Sequence, residues 1–320
     1  MPPVGLAVGV DVGGTKVAAG LVAADGSVLS RTRRQTPADD ARAVVDLIAE
    51  LAVELAEAQG VRGVPVGVGI PGLVDRDGVA RYLPNVALRN HPLRAELAGR
   101  LGVAVTVDND ANVAAWGEYR AGAGLKAVTS LLMLTLGTGV GGGLVQEDRL
   151  IRGAGGLGAE FGHILVREGG RQCPCGNRGC LEAYASGTAI GLTAVEALAA
   201  GDVPADSMLI GATAVTGTSV TVAAHAGDRF GADVLARCGF WLGVGIASLV
   251  NALDPEIVVL GGGAMEAGEL ILAPARDAFA ERLLGAEHRI APPIVRAQLG
   301  DDAGMVGAAL RALDAQQAGA

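Results

Sequence analysis

Lysine is nearly missing from this chain of 320 residues: Lys16 and Lys126 stand alone, and its other basic residues are arginines scattered along the sequence. Against 34 acidic residues the 25 basic ones leave a formal net charge of −9. A nucleic-acid-binding surface must neutralise phosphates with clustered cations. The one cluster, Arg31-Thr-Arg33-Arg34, reads as a solvated strand end, so DNA binding is excluded. Cysteine is scarce too. Four are too few for a disulfide scaffold, and reduced thiols in a cytoplasmic setting are the reading. No apolar run reaches the roughly 18 residues of a membrane span; Phe240 to Val250 stops short and runs into Asn251 and Asp254. The apolar start, Pro3 to Val10, has neither a basic flank nor a cleavage site and leads straight into Asp11, so it reads as a strand and not a signal peptide. With 18% charged and 50% hydrophobic residues, disorder and coiled coil are excluded as well.

Glycine, by contrast, is abundant. Its 50 residues are about twice ordinary usage, and each costs backbone entropy unless a turn or a close ligand approach needs it. At roughly 150 residues per domain the length suggests two domains. Leu6–Val10, Val17–Val22 and Val28–Arg33 are β-rich runs joined by Gly turns, an antiparallel meander. A helix at Val44–Leu55, a strand at Val64–Ile70, a helix at Leu93–Leu101, a strand at Val103–Val107 and a helix at Ala111–Arg120 follow. This is an α/β domain with a mixed sheet. The pattern then restarts: strand, Gly-Thr turn, strand occurs at Asp11-Val-Gly-Gly-Thr15 and again, about 125 residues later, at Leu136-Gly-Thr-Gly-Val-Gly-Gly-Gly143. Duplicated domains facing each other across a cleft are the expectation. The first covers 1–122 and the second 123–320, with a hinge near Arg120–Lys126 and a closing helix, about 304–316, packing back on the first. Arg229–Ala252 is a long buried helix, Ile257–Leu260 a strand, and Pro204–Gly217 has no clear period.

Three glycine clusters follow strands: Gly13-Gly14-Thr15, Gly137-Thr138-Gly139, and Gly261-Gly262-Gly263. Glycine lets backbone N–H groups approach an anion, and the Thr hydroxyls add donors, so nucleotide phosphates are the expected ligand. Neither a Walker A loop nor a Gly-x-Gly-x-x-Gly after the first strand is present, which removes P-loop and NAD readings. Asp11 either holds Mg²⁺ or caps its turn. At Val107-Asp-Asn-Asp110 a strand passes into a helix, where α/β sheets bind ligands. A carboxylate there can take a proton from an attacking hydroxyl that Asn109 orients, although Asp110 can equally be read as the helix N-cap. His163, Cys173, Cys175 and Cys180 supply the Cys3His set of structural zinc, with Gly176 and Gly179 letting the loop fold around a metal. Cys-x-Cys is awkward to bridge as a disulfide. Glu160 and Glu182 flank this loop, as sugar-hydroxyl acceptors or as plain surface charges. Cys238 reads as core, and His91, His225 and His288 have no partner pattern.

These residues resemble the ROK family of sugar kinases, and within it the bacterial glucokinases. The matching pieces are Asp11-Val-Gly-Gly-Thr-Lys16, Pro71-Gly-Leu-Val-Asp75, Asn109-Asp110, Leu136–Gly143, Gly158-Ala-Glu160-Phe-Gly-His163, Cys173–Glu182 and Asp254–Gly263, in family order over nearly the whole chain. The resemblance implies the actin-like, hexokinase-like ATPase fold, two ribonuclease-H-like domains with ATP and sugar in the cleft between them. It implies Asp110 as catalytic base and Gly72, Asn109, Glu160, His163 and Glu182 as further sugar ligands. It places the phosphates between the Asp11–Lys16 hairpin (Asp11, Gly13, Gly14, Thr15, Lys16) and Gly137–Gly143, and adenosine near Gly261–Gly263. His163 would bind zinc through one ring nitrogen and sugar through the other. Ala159 stands where many members have Gly.

The activity it implies is ATP-dependent phosphorylation of the glucose 6-hydroxyl, with Mg²⁺ on the phosphates, structural Zn²⁺, and a cytoplasmic homodimer or homotetramer. Only ten residues precede Asp11, too few for the winged helix of the family's repressors. Another hexose (N-acetylmannosamine, fructose, mannose), polyphosphate as donor, or a non-catalytic sugar sensor remain open alternatives.

Overall fold

The computed structural model describes residues 5–84, 86–124 and 128–318. Lys126, and with it the end of the connection read as a hinge, lies outside the described residues. Two compact units are formed, one from Met1–Leu132, Gly143–Ala159 and Ala297–Ala320, the other from Met133–Gly142 and Glu160–Arg296.

The first unit opens with β1 (Leu6–Val12), β2 (Lys16–Ala23) and β3 (Val28–Gln35), the antiparallel meander expected from the sequence. Val8, Val10, Val17, Ala19 and Leu21 are fully buried, whereas β3 is mostly exposed and carries the arginine cluster. Arg31 pairs with Asp302 (2.7 Å) and Arg34 with Glu54 (3.2 Å), a solvated edge. α1 (Ala41–Ala58) starts where the Asp40 carboxylate accepts from Arg42 N and Ala43 N, and it buries Val44, Ile48, Leu51 and Leu55 at helical spacing. β4 (Val66–Ile70) then runs parallel to β1. A small sheet of β5 (Leu73–Val74), β6 (Ala80–Tyr82) and β7 (Arg89–His91) precedes α2 (Leu93–Leu101). β8 (Val105–Asn109) lies parallel to β4 and leads into α3 (Asp110–Ala121).

The second sheet begins with β9 (Leu131–Leu136), β10 (Val140–Gln146) and β11 (Arg149–Leu150). A 3-10 turn (Phe161–His163), α4 (Glu182–Ala185), α5 (Gly187–Ala200), α6 (Gly217–His225) and α7 (Arg229–Leu253) follow. β12 (Ile257–Gly261), α8 (Glu269–Ala280), β13 (Ile294–Arg296) and α9 (Ala303–Ala318) complete the chain. The two five-stranded sheets share one topology. Their orders are β3-β2-β1-β4-β8 and β11-β10-β9-β12-β13, in both cases third, second, first, fourth, fifth. The repeated Gly-Thr openings therefore correspond to a repeated sheet.

α7, with 25 residues, is the one helix among the described residues long and apolar enough to cross a membrane; it extends the apolar run Phe240–Val250 back to Arg229 and on to Leu253. It is instead a packed helix. Gly239 and Gly243 press on α8, where an added Cβ would come within 2.3 Å of the Ile271 carbonyl and 2.2 Å of the Ala275 carbonyl.

Part of the glycine excess is likewise spent on helix packing and not on turns or ligands. α9 lies across β1 and β4 and beside α3. A Cβ on Gly9 would sit 1.9 Å from the Met305 carbonyl, and one on Gly67 1.8 Å from the Ala308 carbonyl. No side chain could retreat from such a clash, so backbone must move. Gly67→Ala is expected to cost about 1–3 kcal/mol of stability. A thermal melt checks this against Gly99→Ala, whose Cβ meets nothing within 4 Å.

Candidate active site

In the first unit the parallel strands bring their carboxyl ends into one row. Register pairs Asp11 of β1 with Gly69 of β4, Gly69 with Asp108 of β8, and Ile70 with Asn109. A Cβ on Gly69 would lie 3.6 Å from Asp11 Oδ1 and 3.5 Å from Asp110 Cα, so the two aspartates flank the same bare stretch of backbone. Burial, and then the Asp110 charge, push the Asp11 carboxyl up to about 7. Burial also raises Asp110, against hydrogen bonds that favour its carboxylate, including Ala111 N donating to Oδ1 at 2.8 Å.

The helix cap resolves differently from the sequence alternative. Asn109, not Asp110, caps α3: its Oδ1 accepts from Asn112 N at 3.0 Å, and Asp110 is the first helical residue. That leaves the Asp110 carboxylate at the helix N-terminus, where it accepts from Ala111 N but is not the N-cap. The same Asn109 side chain donates through Nδ2 to the Gly72 carbonyl at 3.0 Å. Gly72 has φ +95, and a Cβ there would lie 2.3 Å from the Tyr82 carbonyl, so the position requires glycine. The Asp11–Lys16 turn closes with Gly13 N on the Lys16 carbonyl (2.8 Å) and presents Gly14, Thr15 and Lys16 to solvent.

A buried pair beneath this row had no signal in the sequence. Asp108 Oδ2 meets Arg152 Nε at 3.0 Å, and Oδ1 accepts from Asn109 N (2.9 Å) and Asn112 Nδ2 (3.2 Å). Arg152 also donates to the Asp75 carbonyl at 3.1 Å. Burial raises the Asp108 carboxyl and Arg152 then Arg311 oppose the rise, so the neighbouring Asn109 and Asp110 rest on a charge-compensated base.

Asp11 carries a pH prediction. Its folded value, about 7, lies above the ordinary 3.8, so the fold holds this proton more tightly than the unfolded chain. The stability it contributes is complete below the unfolded value and lost as pH rises through about 7. Asp11→Asn is therefore expected to raise the Tm of ligand-free protein at pH 8, by about 2–4 °C for each kcal/mol of relieved burial, and to raise it less near pH 5, where the unfolded carboxyl has ionised but the folded one still holds its proton. Differential scanning fluorimetry at both pH values reads the difference.

In the second unit, the Nδ1 or Nε2 of His163 and the Sγ atoms of Cys173, Cys175 and Cys180 offer ligand atoms all within 4.8 Å of one another. Cys173 Sγ lies 3.7 Å from His163 Nδ1, and Cys175 Sγ 3.7 Å from Cys180 Sγ. A tetrahedron with metal–sulfur bonds of about 2.3 Å has edges of about 3.7 Å, so the cluster fits zinc. All four cysteines are free, and 3.7 Å is far from a disulfide. With Nδ1 on the metal side, His163 Nε2 is left for another partner. Glu182 opens α4; its Oε2 accepts from Val140 N at 2.9 Å and its Oε1 lies 3.6 Å from Cys173 Sγ. Gly139 makes room for it, since a Cβ there would fall 2.3 Å from Glu182 Oε2. The Glu160 carbonyl accepts from His163 N at 3.0 Å, which ties Glu160 to the 3-10 turn.

A pocket of about 930 Å³ opens in the same unit, bounded by Gly137, Thr138, Gly187, Thr188, Thr216 and Gly263. Here the Gly137 carbonyl accepts from Gly187 N (2.7 Å), the Thr138 carbonyl from Thr188 Oγ1 (2.7 Å), and the Gly139 carbonyl from Gly137 N (3.0 Å). With its carbonyls taken internally, the turn has donors left to offer. The N-termini of α5 and α6 both reach this pocket, a setting that favours anions. Of the third glycine cluster, Gly263 borders it, Gly261 ends β12, and Gly262 (φ +87) packs on the Leu136 backbone. Thr216, Thr218, Thr221 and His225 also border it, with His225 Nε2 donating to the Glu266 carbonyl at 3.0 Å. Reading 204–217 as a patternless loop missed Thr216, reading His225 as unpartnered missed that residue, and Thr218 and Thr221 lie on a helix the sequence did not announce. The capping box Thr216–Ser219 was the available signal.

Comparison with known proteins agrees with this architecture. The ROK family profile matches residues 7–315. The chain is 41% identical over 317 residues to a glucokinase of Streptomyces coelicolor, covering 95% of this chain and 96% of that one. It is 38% identical to a glucokinase of Thermotoga maritima over 94% and 95% of the two chains. The crystal structure of a ROK family glucokinase from Streptomyces griseus in complex with glucose and AMPPNP superposes with TM-score 0.84 at 40% identity, over 97% of this chain and all of that one. The fold is the actin-like, hexokinase-like ATPase fold. The chain belongs to the ROK family.

Proposed function

We propose that the chain is a sugar kinase that transfers the γ-phosphoryl group of ATP to the 6-hydroxyl of glucose. The reading is carried by Asp110, a carboxylate at the first position of α3 that is not its N-cap, beside the carboxyl ends of three parallel strands. Supporting it are the glucose and AMPPNP bound by the S. griseus relative and the donor-rich pocket formed by the Gly137–Gly139 turn and two helix N-termini.

In the proposed reaction Asp110 accepts the hydroxyl proton as the sugar oxygen attacks phosphorus, and Asn109 fixes the direction of that hydroxyl. Glu160, His163 through Nε2, Glu182 and the Gly72 backbone hold the remaining hydroxyls. A hexose offers many hydroxyl donors and a carboxylate accepts two or more, so these residues match a sugar in type. Thr138 and Gly139 donate to the phosphates, as do Gly13, Gly14, Thr15 and Lys16, and Gly261–Gly263 lie toward adenosine. Asp11 is the carboxylate that would hold the Mg²⁺ accompanying ATP, an ion that neutralises phosphate charge when bound. Zn²⁺, held by His163, Cys173, Cys175 and Cys180, would supply no chemistry and would fix the loop carrying His163 and Glu182. Reduced thiols suit a cytoplasmic enzyme, and we propose a homodimer or homotetramer, to be read by light scattering.

An NADPH-coupled or product-detection assay over a hexose panel, with ATP and polyphosphate as donors, tests the reading. Glucose with ATP is expected to give the highest kcat/KM. Preference for N-acetylmannosamine, fructose or mannose would move the assignment to another hexose. Binding of sugar with no turnover of any donor would replace the kinase by a sensor.

A further inference from the structure

A second pocket, of about 560 Å³, lies in the same unit and shares no residue with the sites above. Four arginines line it: Arg167, Arg171 and Arg178 from the loop around the cysteine cluster, and Arg237 from α7. Among the described residues Arg167, Arg178 and Arg237 form no ion pair, although the chain as a whole is acidic and most of its arginines are paired. Arg171 is anchored: it pairs with Glu196, donates to Thr193 Oγ1 at 2.9 Å and stacks over Tyr184 at 5.4 Å. Glu168 is the one acid that also borders the pocket. One wall is aromatic, with the Tyr184 and Trp241 rings 4.8 Å apart and Phe240 edge-on to Trp241 at 5.3 Å.

Three arginines without ion pairs bordering one hollow give it a positive potential that favours an anion. The planar fork of arginine matches pairs of phosphate oxygens, and the aromatic wall gives an organic body a face to lie on. The volume suits a small metabolite. We propose that this pocket is a binding site for a small phosphate dianion, either a phosphomonoester or free orthophosphate, separate from the phosphoryl-transfer site. Because Arg171 and Arg178 flank Cys173 and Cys175, and Tyr184 follows Glu182 on α4, an anion bridging these arginines to Arg237 would tie the cysteine loop to α7.

The proposal does not depend on the kinase reading, and its test uses neither ATP nor hexose. Full-length zinc-loaded protein is titrated with inorganic phosphate and with glucose 6-phosphate at constant ionic strength, by calorimetry and by tryptophan fluorescence, since Trp241 borders the pocket. Saturable binding with Kd of about 10 µM–1 mM is expected, weakened about tenfold or more by Arg237→Glu and by Arg178→Glu. Both side chains are exposed, so the variants are expected to melt with the parent. Trp241→Phe should abolish the optical signal and keep the heat. Tighter binding of the ester than of orthophosphate identifies the aromatic wall as part of the site; equal binding identifies free phosphate as the ligand. Asp110→Asn should bind as the parent does. Absence of saturation at 10 mM, unchanged affinity in both arginine variants, or loss of the signal in Asp110→Asn would each overturn the proposal, the last by assigning the binding to the phosphoryl-transfer site.

Discussion

Replacing Asp110 by Asn is expected to lower kcat by about 10²–10⁴-fold, the usual contribution of a positioned general base, with the hexose KM changed far less. The substitution keeps the side chain's shape and its place at the start of α3. It removes the negative charge and with it the ability to take a proton. Burial already raises the Asp110 carboxyl above the ordinary range, so deleting the charge relieves a desolvation penalty and the fold should not suffer. A melt alongside the steady-state kinetics separates the two effects. Retention of more than about a tenth of kcat would end the general-base role. The same raised value sets the pH profile of the parent enzyme. Asp110 acts only when ionised, so kcat/KM should fall on the acid side, and the limb should lie above the ordinary carboxylate value of 3.8. In the Asn variant that limb should disappear from the residual activity.

The second large effect concerns the cysteine cluster. Elemental analysis is expected to find one zinc per chain, and stripping it with a strong chelator should raise the hexose KM about 10–100-fold, the range seen when groups that orient a site are disturbed. Structural zinc contributes about 10–16 kcal/mol in isolated zinc-finger peptides; here the rest of the unit has its own core, so local loosening and not global unfolding is expected. Cys175→Ser is a suitable companion, because Cys175 is exposed whereas Cys173 and Cys180 are buried. It should reproduce the chelation effect without opening a cavity. A metal-free protein with full activity would remove zinc from the account, leaving His163 and Glu182 to be held by the Val140 and Glu160 hydrogen bonds alone.

Local pattern carried much of this architecture. The meander, the helix at Val44–Leu55 and the Cys3His spacing are short-range features, and each appears in the structure near its expected place. The strand before Asp110 runs two residues later than expected, to Asn109, because polar Asp108 is buried by pairing with Arg152 and so mimics an apolar strand residue. That pair joins positions far apart in sequence, and no window spans it. Strands β5 to β7 are two or three residues long and show no period. α5 escaped notice for another reason: Gly187 and Gly191 argue against a helix locally, yet Gly191 is where α5 meets the Thr216–Gly217 backbone, 3.0 Å from any added Cβ. Glycines at contacts such as Gly67 look like turn residues in a sequence and are close-packing residues in the fold.

The docking of α9 on β1 and β4 also bears on how the molecule is made. The strands that begin the first sheet leave the ribosome long before residues 303–318 do, and until that last helix arrives Gly9 and Gly67 face nothing. The first unit is thus started early and closed only when α9 docks, so a truncation reaching into the buried stretch of that helix, Ala303–Leu313, is expected to be far more damaging than its separation in sequence from Asp110 suggests.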